Sequence, residues 1–283
     1  MAGALLSGLC SLQAAPGLAQ DEDADRDDTS EFLITYDHEE DPEVPPERGA
    51  SPWSAQVSFT GLHTSNADQT ETDPITTLYG TPAAAIAYRL GAGGNWTVTF
   101  DLAAEADLFR EQPGELNESR LTATARASRD IGFATLVLGV RSRSTFDGTF
   151  ADHAYTRTGP FVSLRPRGTG NIRLRIDADL RFSDEPGQRR FLIVGQAEIP
   201  ILDDPAAGRI ALTQELRLSR FRAGRNAGRR DLRSASMLGY TPILDLPEGT
   251  SLEFNAVLFR NFSNFDGRDF TDLEIGAVFS LAF

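Results

Sequence analysis

Two stretches of this chain alternate apolar and polar residues for longer than ordinary strands run, and that alternation restricts the fold more than any other feature. From Trp96 to Leu108, one phase holds Trp96, Val98, Phe100, Leu102, Ala104, Ala106 and Leu108, and the other holds Thr97, Thr99, Asp101, Ala103, Glu105 and Asp107. From Asn171 to Ser183 the pattern returns, with Ile172, Leu174, Ile176, Ala178, Leu180 and Phe182 set against Arg173, Arg175, Asp177, Asp179 and Arg181. A period of two is the signature of a strand with two unlike faces. Length then argues for the solvent: strands of globular proteins run about five or six residues, whereas about 9–11 tilted residues cross a bilayer. Beyond residue 20 no run approaches the roughly 18 apolar residues of a spanning helix, so a membrane crossing here is made by strands.

Twelve such segments are read along the chain, at 53–62, 79–90, 96–108, 118–128, 133–145, 154–165, 171–182, 189–199, 209–221, 232–241, 250–262 and 270–283. Their connectors alternate in character. Turn-like pieces fall at 91–95, 129–132, 166–170, 200–208 and 242–249, and mostly longer, polar ones fall between them. The pieces Pro-Ile-Leu-Asp-Asp-Pro from Pro200 and Pro-Ile-Leu-Asp-Leu-Pro from Pro242 hint at a hairpin-scale repeat. The reading is all-β: a single antiparallel transmembrane β-barrel over 51–283 with 12 strands, and with ten or fourteen as alternatives.

Composition accounts for the rest of the chain. The 283 residues carry a net charge of −14, which excludes the basic surface a nucleic-acid partner requires. The imbalance is concentrated at 21–49, where 13 of the 41 acidic residues lie beside only Arg26 and Arg48. Residues 20–50 therefore read as a disordered acidic periplasmic tail, its functional readings being that the patch Phe32-Leu33-Ile34 adds a strand to a periplasmic partner or that the tail enters an Arg-lined pore. Residues 1–19 are mostly small and apolar and look like a signal peptide with a clipped start, Gly17-Leu18-Ala19 supplying the small residues before Gln20. Cys10 is the only cysteine, which excludes disulfides within the chain and thiol-based metal sites.

Aromatic residues mark one rim. Trp53, Tyr88, Trp96, Phe133, Tyr240 and Phe283 fall at the same end of successive segments, an interface girdle if that end is periplasmic. The last segment alternates Leu273, Ile275, Ala277, Phe279 and Leu281 up to Phe283. It resembles the carboxy-terminal assembly signal of bacterial outer-membrane barrels. That resemblance implies a Gram-negative outer membrane, with outer-membrane lipid and the barrel assembly machinery as partners.

The polar phase should face the lumen. Its basic residues are Arg120, Arg126, Arg141, Arg143, Arg157, Arg173, Arg175 and Arg181, and its acidic ones are Asp101, Glu105, Asp107, Glu253, Asp272 and Glu274. A basic wall beside an acidic wall suits a passive channel for small polar or anionic solutes. The pattern is similar to the twelve-stranded porins for acidic oligosaccharides. A packed interior, giving a structural or adhesive barrel without a pore, is the bland counterpart.

One short segment points elsewhere. His63-Thr64-Ser65-Asn66 resembles the His-x-Ser-Asn segment of outer-membrane phospholipase A and lipid A 3-O-deacylase. The resemblance implies a lipid acyl hydrolase with Ser65 as nucleophile and His63 as base, and Asp269, read in the lipid-facing phase of the last strand, could orient His63. No metal site, cofactor or nucleotide motif is read from the sequence.

Overall fold

The computed structural model of the protein describes residues 51–71, 74–93, 95–168 and 170–283; the signal peptide expected at 1–19 and the acidic tail expected at 20–50 lie outside the described residues. Twelve strands follow one another: β1 (Trp53–Thr64), β2 (Thr77–Ala92), β3 (Trp96–Phe109), β4 (Glu118–Asp130), β5 (Ala134–Asp147) and β6 (Asp152–Pro166), then β7 (Arg173–Ser183), β8 (Arg190–Asp204), β9 (Gly208–Phe221), β10 (Arg230–Thr241), β11 (Thr250–Ser263) and β12 (Phe270–Ala282). Each pairs antiparallel with the next, and β12 returns to β1 with Gln56 opposite Ala282 and Thr64 opposite Glu274, closing the barrel at 12 strands. Several strands outrun the alternation that announced them: β2 begins at Thr77, and β8 continues to Asp204. Backbone amides pair wherever a neighbour is in reach, so the ladder persists past the point where the apolar pattern stops.

Every strand carries apolar residues in its outward phase. Phe59, Ile86, Leu102, Leu121, Val140, Val162, Ile176, Ile193, Leu216, Leu238, Phe254 and Ile275, one from each strand in turn, are all exposed. A monomer in water does not show an apolar surface that runs round the whole molecule. In a bilayer that belt faces hydrocarbon, and closure leaves no strand edge to be satisfied there. Among the described residues no helix is long and apolar enough to cross a membrane.

The two ends differ. Short turns join the strands at one end, at 93–95, 131–133, 167–172 and 205–207, with a longer connection at 242–249. The other end carries the connections 65–76, 110–117, 148–151, 184–189, 222–229 and 264–269, including a short helix, α1 (Pro113–Leu116). These are called below the turn end and the loop end. One local break lies between β6 and β7, where the pairs step from Thr158 with Phe182 to Phe161 with Asp179. Pro160 has no amide to donate, and a Cβ on Gly159 would stand 1.7 Å from the Leu180 carbonyl oxygen.

Candidate functional site: the barrel lumen

The inward phase changes character along the barrel. Toward the turn end, Gln56, Thr124, Arg126, Arg141, Arg175, Gln196 and Glu198 are only half-buried. Toward the loop end, Thr64, Thr81, Glu105, Arg120, Arg157, Arg181, Arg217, Arg233 and Glu274 are all buried. The loop half of the lumen is thus a zone of tightly packed polar side chains, and the turn half, called the vestibule below, leaves its long polar side chains half-buried.

That zone is built from charge pairs. Arg120 holds Glu105 at 3.1 Å, Asp107 at 2.7 Å and Glu118 at 2.6 Å, with Thr81 Oγ1 donating to Asp107 at 2.6 Å. Further round, Arg181 meets Asp179 at 3.0 Å, Arg217 meets Glu215 at 3.0 Å and Arg229 meets Asp231 at 2.7 Å. The first two pairs sit two residues apart on one strand, which places both partners on the inward face, and Arg229 reaches Asp231 from the connection just before β10. Aromatic rings fill the spaces between guanidinium groups. Phe221 lies under both Arg190 and Arg229, at 5.4 and 4.6 Å, and Tyr155 lies under Arg157 at 5.2 Å. On the flank of β10 to β12 the inward face is apolar, where Ala235, Met237, Val257, Phe259 and Phe270 form one buried cluster. Arg233 closes over Phe270 at 5.3 Å.

In the vestibule the pairs are more exposed. Arg126 faces Asp101 at 3.4 Å, Arg175 faces Asp177 at 2.8 Å, and Arg209 bonds Glu198. At the loop-end mouth burial works against the Asp184 carboxylate, but the Thr156 and Glu185 amides, His153 and Ser183 Oγ outweigh it and hold its pKa below the ordinary value.

Of the charged residues expected to line the lumen, Arg120, Arg126, Arg141, Arg143, Arg157, Arg175, Arg181, Asp101, Glu105, Asp107, Glu253, Asp272 and Glu274 lie in the inward phase of their strands. Arg173 differs in depth. It stands at the turn-end mouth with its side chain 72% exposed, 3.6 Å from Glu198. The expected division into a basic and an acidic wall is incomplete, because Asp177, Asp179, Glu215 and Asp231 sit among the arginines as their partners. Arg190, Arg217 and Arg233 extend the basic lining to β8, β9 and β10. The sequence signal for Arg217 and Arg233 was the same alternation, in Glu215-Leu216-Arg217-Leu218-Ser219 and Asp231-Leu232-Arg233, whereas Arg190 precedes the unbroken apolar run Phe191-Leu192-Ile193-Val194.

The expected hydrolase residues do not converge. Ser65 Oγ donates to Asp272 at 3.0 Å and accepts the Leu273 amide at 2.8 Å. Asp269 precedes β12 rather than lying on it, and its carboxylate accepts the Ser263 amide at 2.6 Å. His63 is exposed between Leu78 and Ile275, and among the described residues no hydrogen bond joins it to Ser65 or Asp269. The segment turned from strand to loop, and an inward carboxylate captured its hydroxyl.

The aromatic residues expected at one rim do gather at the turn end. Trp53 and Tyr88 are cross-strand partners with ring centroids 4.5 Å apart, Trp96 lies under Arg129, and Tyr240 stacks on Phe254. Phe133 stands in the turn after β4, and Phe283 pairs its backbone with Ala55. Among the described residues no cluster of side chains suits a metal ion.

Comparison with known proteins bears on the architecture. No family model and no curated protein matches the chain. Among solved structures the chain is similar to the COG4313 outer membrane channel from Pseudomonas putida F1, at 11% identity and a TM-score of 0.52, over 86% of this chain and 98% of that one. It is also similar to the KdgM porin, at 11% identity, 79% and 98% coverage and a TM-score of 0.48, and to the NanC porin, at 11% identity, 80% and 98% coverage and a TM-score of 0.44. At these identities the likeness is one of fold, and the fold is that of outer-membrane β-barrels.

Proposed function

We propose that this barrel is a passive channel for small polar or anionic solutes, with the turn end and both chain ends in the periplasm. One observation carries the reading: arginine lines the inward face from β4 to β10 inside a closed barrel whose outer face is apolar. Residues that face neither lipid nor an apolar core are suited to an aqueous path, and guanidinium groups attract anions and hydrogen-bonding solutes. Polar atoms such as Thr145 Oγ1 and Ser163 Oγ, buried on the same face without a protein partner among the described residues, fit a lining shared with water.

The packed loop half supports a narrow or gated path over a wide one. It also supports a second reading, a structural or adhesive barrel whose interior is filled by its own charge pairs. Planar-bilayer recording separates the two. A channel gives discrete conductance steps with a reversal potential displaced toward anions, and a filled barrel gives none from correctly folded protein. The hydrolase reading retains only the sequence resemblance of His63 to Asn66. Mixed-micelle ester cleavage, with calcium supplied and abolished in Ser65→Ala, would revive it.

A further inference from the structure

The lipid-facing phase of β9 and β10 ends in two arginines set side by side. Arg220 and Arg230 are direct cross-strand partners, and both are exposed. They continue the outward rows of Leu218 and Leu232, which are themselves exposed. Like charges directly opposite one another destabilise an antiparallel pair, and among the described residues neither guanidinium meets a carboxylate. The acid next to Arg230 in sequence, Asp231, turns inward onto Arg229, and of the loop carboxylates Asp269 accepts the Ser263 amide and Asp184 the Thr156 and Glu185 amides. Arg222 stands exposed just past β9, and Arg260 faces outward on β11 opposite Ser234. The surface between them is greasy, with Phe191 opposite Arg220 and Phe262 opposite Leu232.

Depth in the bilayer follows from the register. Ile210 and Tyr240 are partners at the turn end, and Arg220 and Arg230 are partners further along the same two strands, toward the loop end. At about 3.3 Å per residue and a tilt of about 40°, the ten intervening steps rise by roughly 25 Å, which is the height of the apolar band of such barrels. The guanidinium groups therefore lie at the opposite interface, level with headgroups rather than acyl chains.

We propose that Arg220 and Arg230, flanked by Arg222 and Arg260, bind the phosphate-bearing headgroup of a glycolipid in the outer leaflet, whose acyl chains lie on the neighbouring aromatic and leucine side chains. Planar guanidinium forks suit phosphate oxygens, and a dianion between two arginines turns their repulsion into mutual attraction. The inference rests on the outer-membrane orientation and does not depend on the barrel conducting.

The test uses the full chain purified in neutral detergent and three probes: a bisphosphorylated diglucosamine lipid, its dephosphorylated form, and inorganic phosphate. Native mass spectrometry should show wild-type protein retaining the phosphorylated lipid about tenfold better than the dephosphorylated one, with that preference lost in the Arg220→Gln, Arg230→Gln double variant. Without lipid the double variant should unfold at the wild-type temperature or above, since removing the repulsion costs the barrel nothing. Equal retention of the phosphorylated lipid by both proteins overturns the proposal. So does thermal stabilisation by inorganic phosphate equal to that by the lipid, which would assign the arginines to a soluble anion. Loss of lipid preference in a variant that still conducts supports this proposal independently of the channel reading. Wild-type protein that conducts but shows no preference for the phosphorylated lipid overturns this proposal and leaves the channel standing.

Discussion

Ser65 Oγ donates a hydrogen bond to the Asp272 carboxylate at 3.0 Å, across the seam where the last strand meets the first. The Asn66 amide reaches the same oxygen at 2.9 Å, and Thr64 Oγ1 reaches both carboxylate oxygens at 2.9 Å. Asn66 Nδ2 then donates to the Thr70 and Thr271 carbonyls. The contact being fastened joins residues from the two ends of the barrel sequence, so its closure entropy is the largest in the fold. A barrel is free of strand edges only while that seam holds.

Loss of the clamp should therefore cost stability in proportion to the bonds removed. Ser65→Ala is expected to lower unfolding free energy by about 1–2 kcal/mol and Asp272→Ala by about 3 kcal/mol or more, since bonds to a charged group are worth about 1.5–3 kcal/mol each. His63→Ala, a change on the lipid face, should stay within about 0.5 kcal/mol. Urea unfolding in detergent micelles measures all three, and an Asp272→Ala protein as stable as wild type would remove the clamp from the account.

Arg120 neutralises three carboxylates in a buried place. Replacing it with Met leaves Glu105, Asp107 and Glu118 facing one another, and breaking a buried ion pair from one side costs about 3–5 kcal/mol. The same unfolding assay should show Arg120→Met far below wild type, with Glu118→Gln milder because Glu118 is the most exposed of the three acids.

The assignment of faces is open to a paired test. Leu216 points outward on β9 and Gln196 inward on β8. Leu216→Arg should cost about 2–4 kcal/mol near the bilayer midplane, whereas Gln196→Arg, in a polar lumen, should be nearly neutral. Folding into lipid vesicles reads the difference. Equal effects would mean that lipid does not touch the outer face.

Reversing charge in the vestibule should reverse its preference. Arg126→Glu together with Arg141→Glu takes two cations from the half-exposed wall and adds two anions. The reversal potential in a salt gradient should move toward cation selectivity, and unchanged selectivity with intact conductance would place the filter elsewhere.

Much of this architecture was legible beforehand because strand side chains change face with a period of two whatever their neighbours do. The alternation from Trp96 to Leu108 announced both the outward Leu102 and the inward Glu105 without knowledge of any partner strand. The triad that the His63 to Asn66 resemblance implies is not assembled for a related reason. His63 and Ser65 share a phase in sequence, but hydrogen bonding depends on what stands across the seam, and Asp272 is 207 residues away.

The amino-acid order alone decided which face most strand side chains take, since direction along a strand is a local property of the backbone. It also placed the turns and the aromatic rim, which depend on neighbouring residues only. Contacts between strands decided the rest. Bringing β12 to β1 placed Asp272 against Ser65 and Asn66, and the register between neighbouring strands set Arg120 against Glu105 and Asp107 and Arg220 beside Arg230 on the lipid face. Such pairings depend on the distance between strands, which no local pattern encodes.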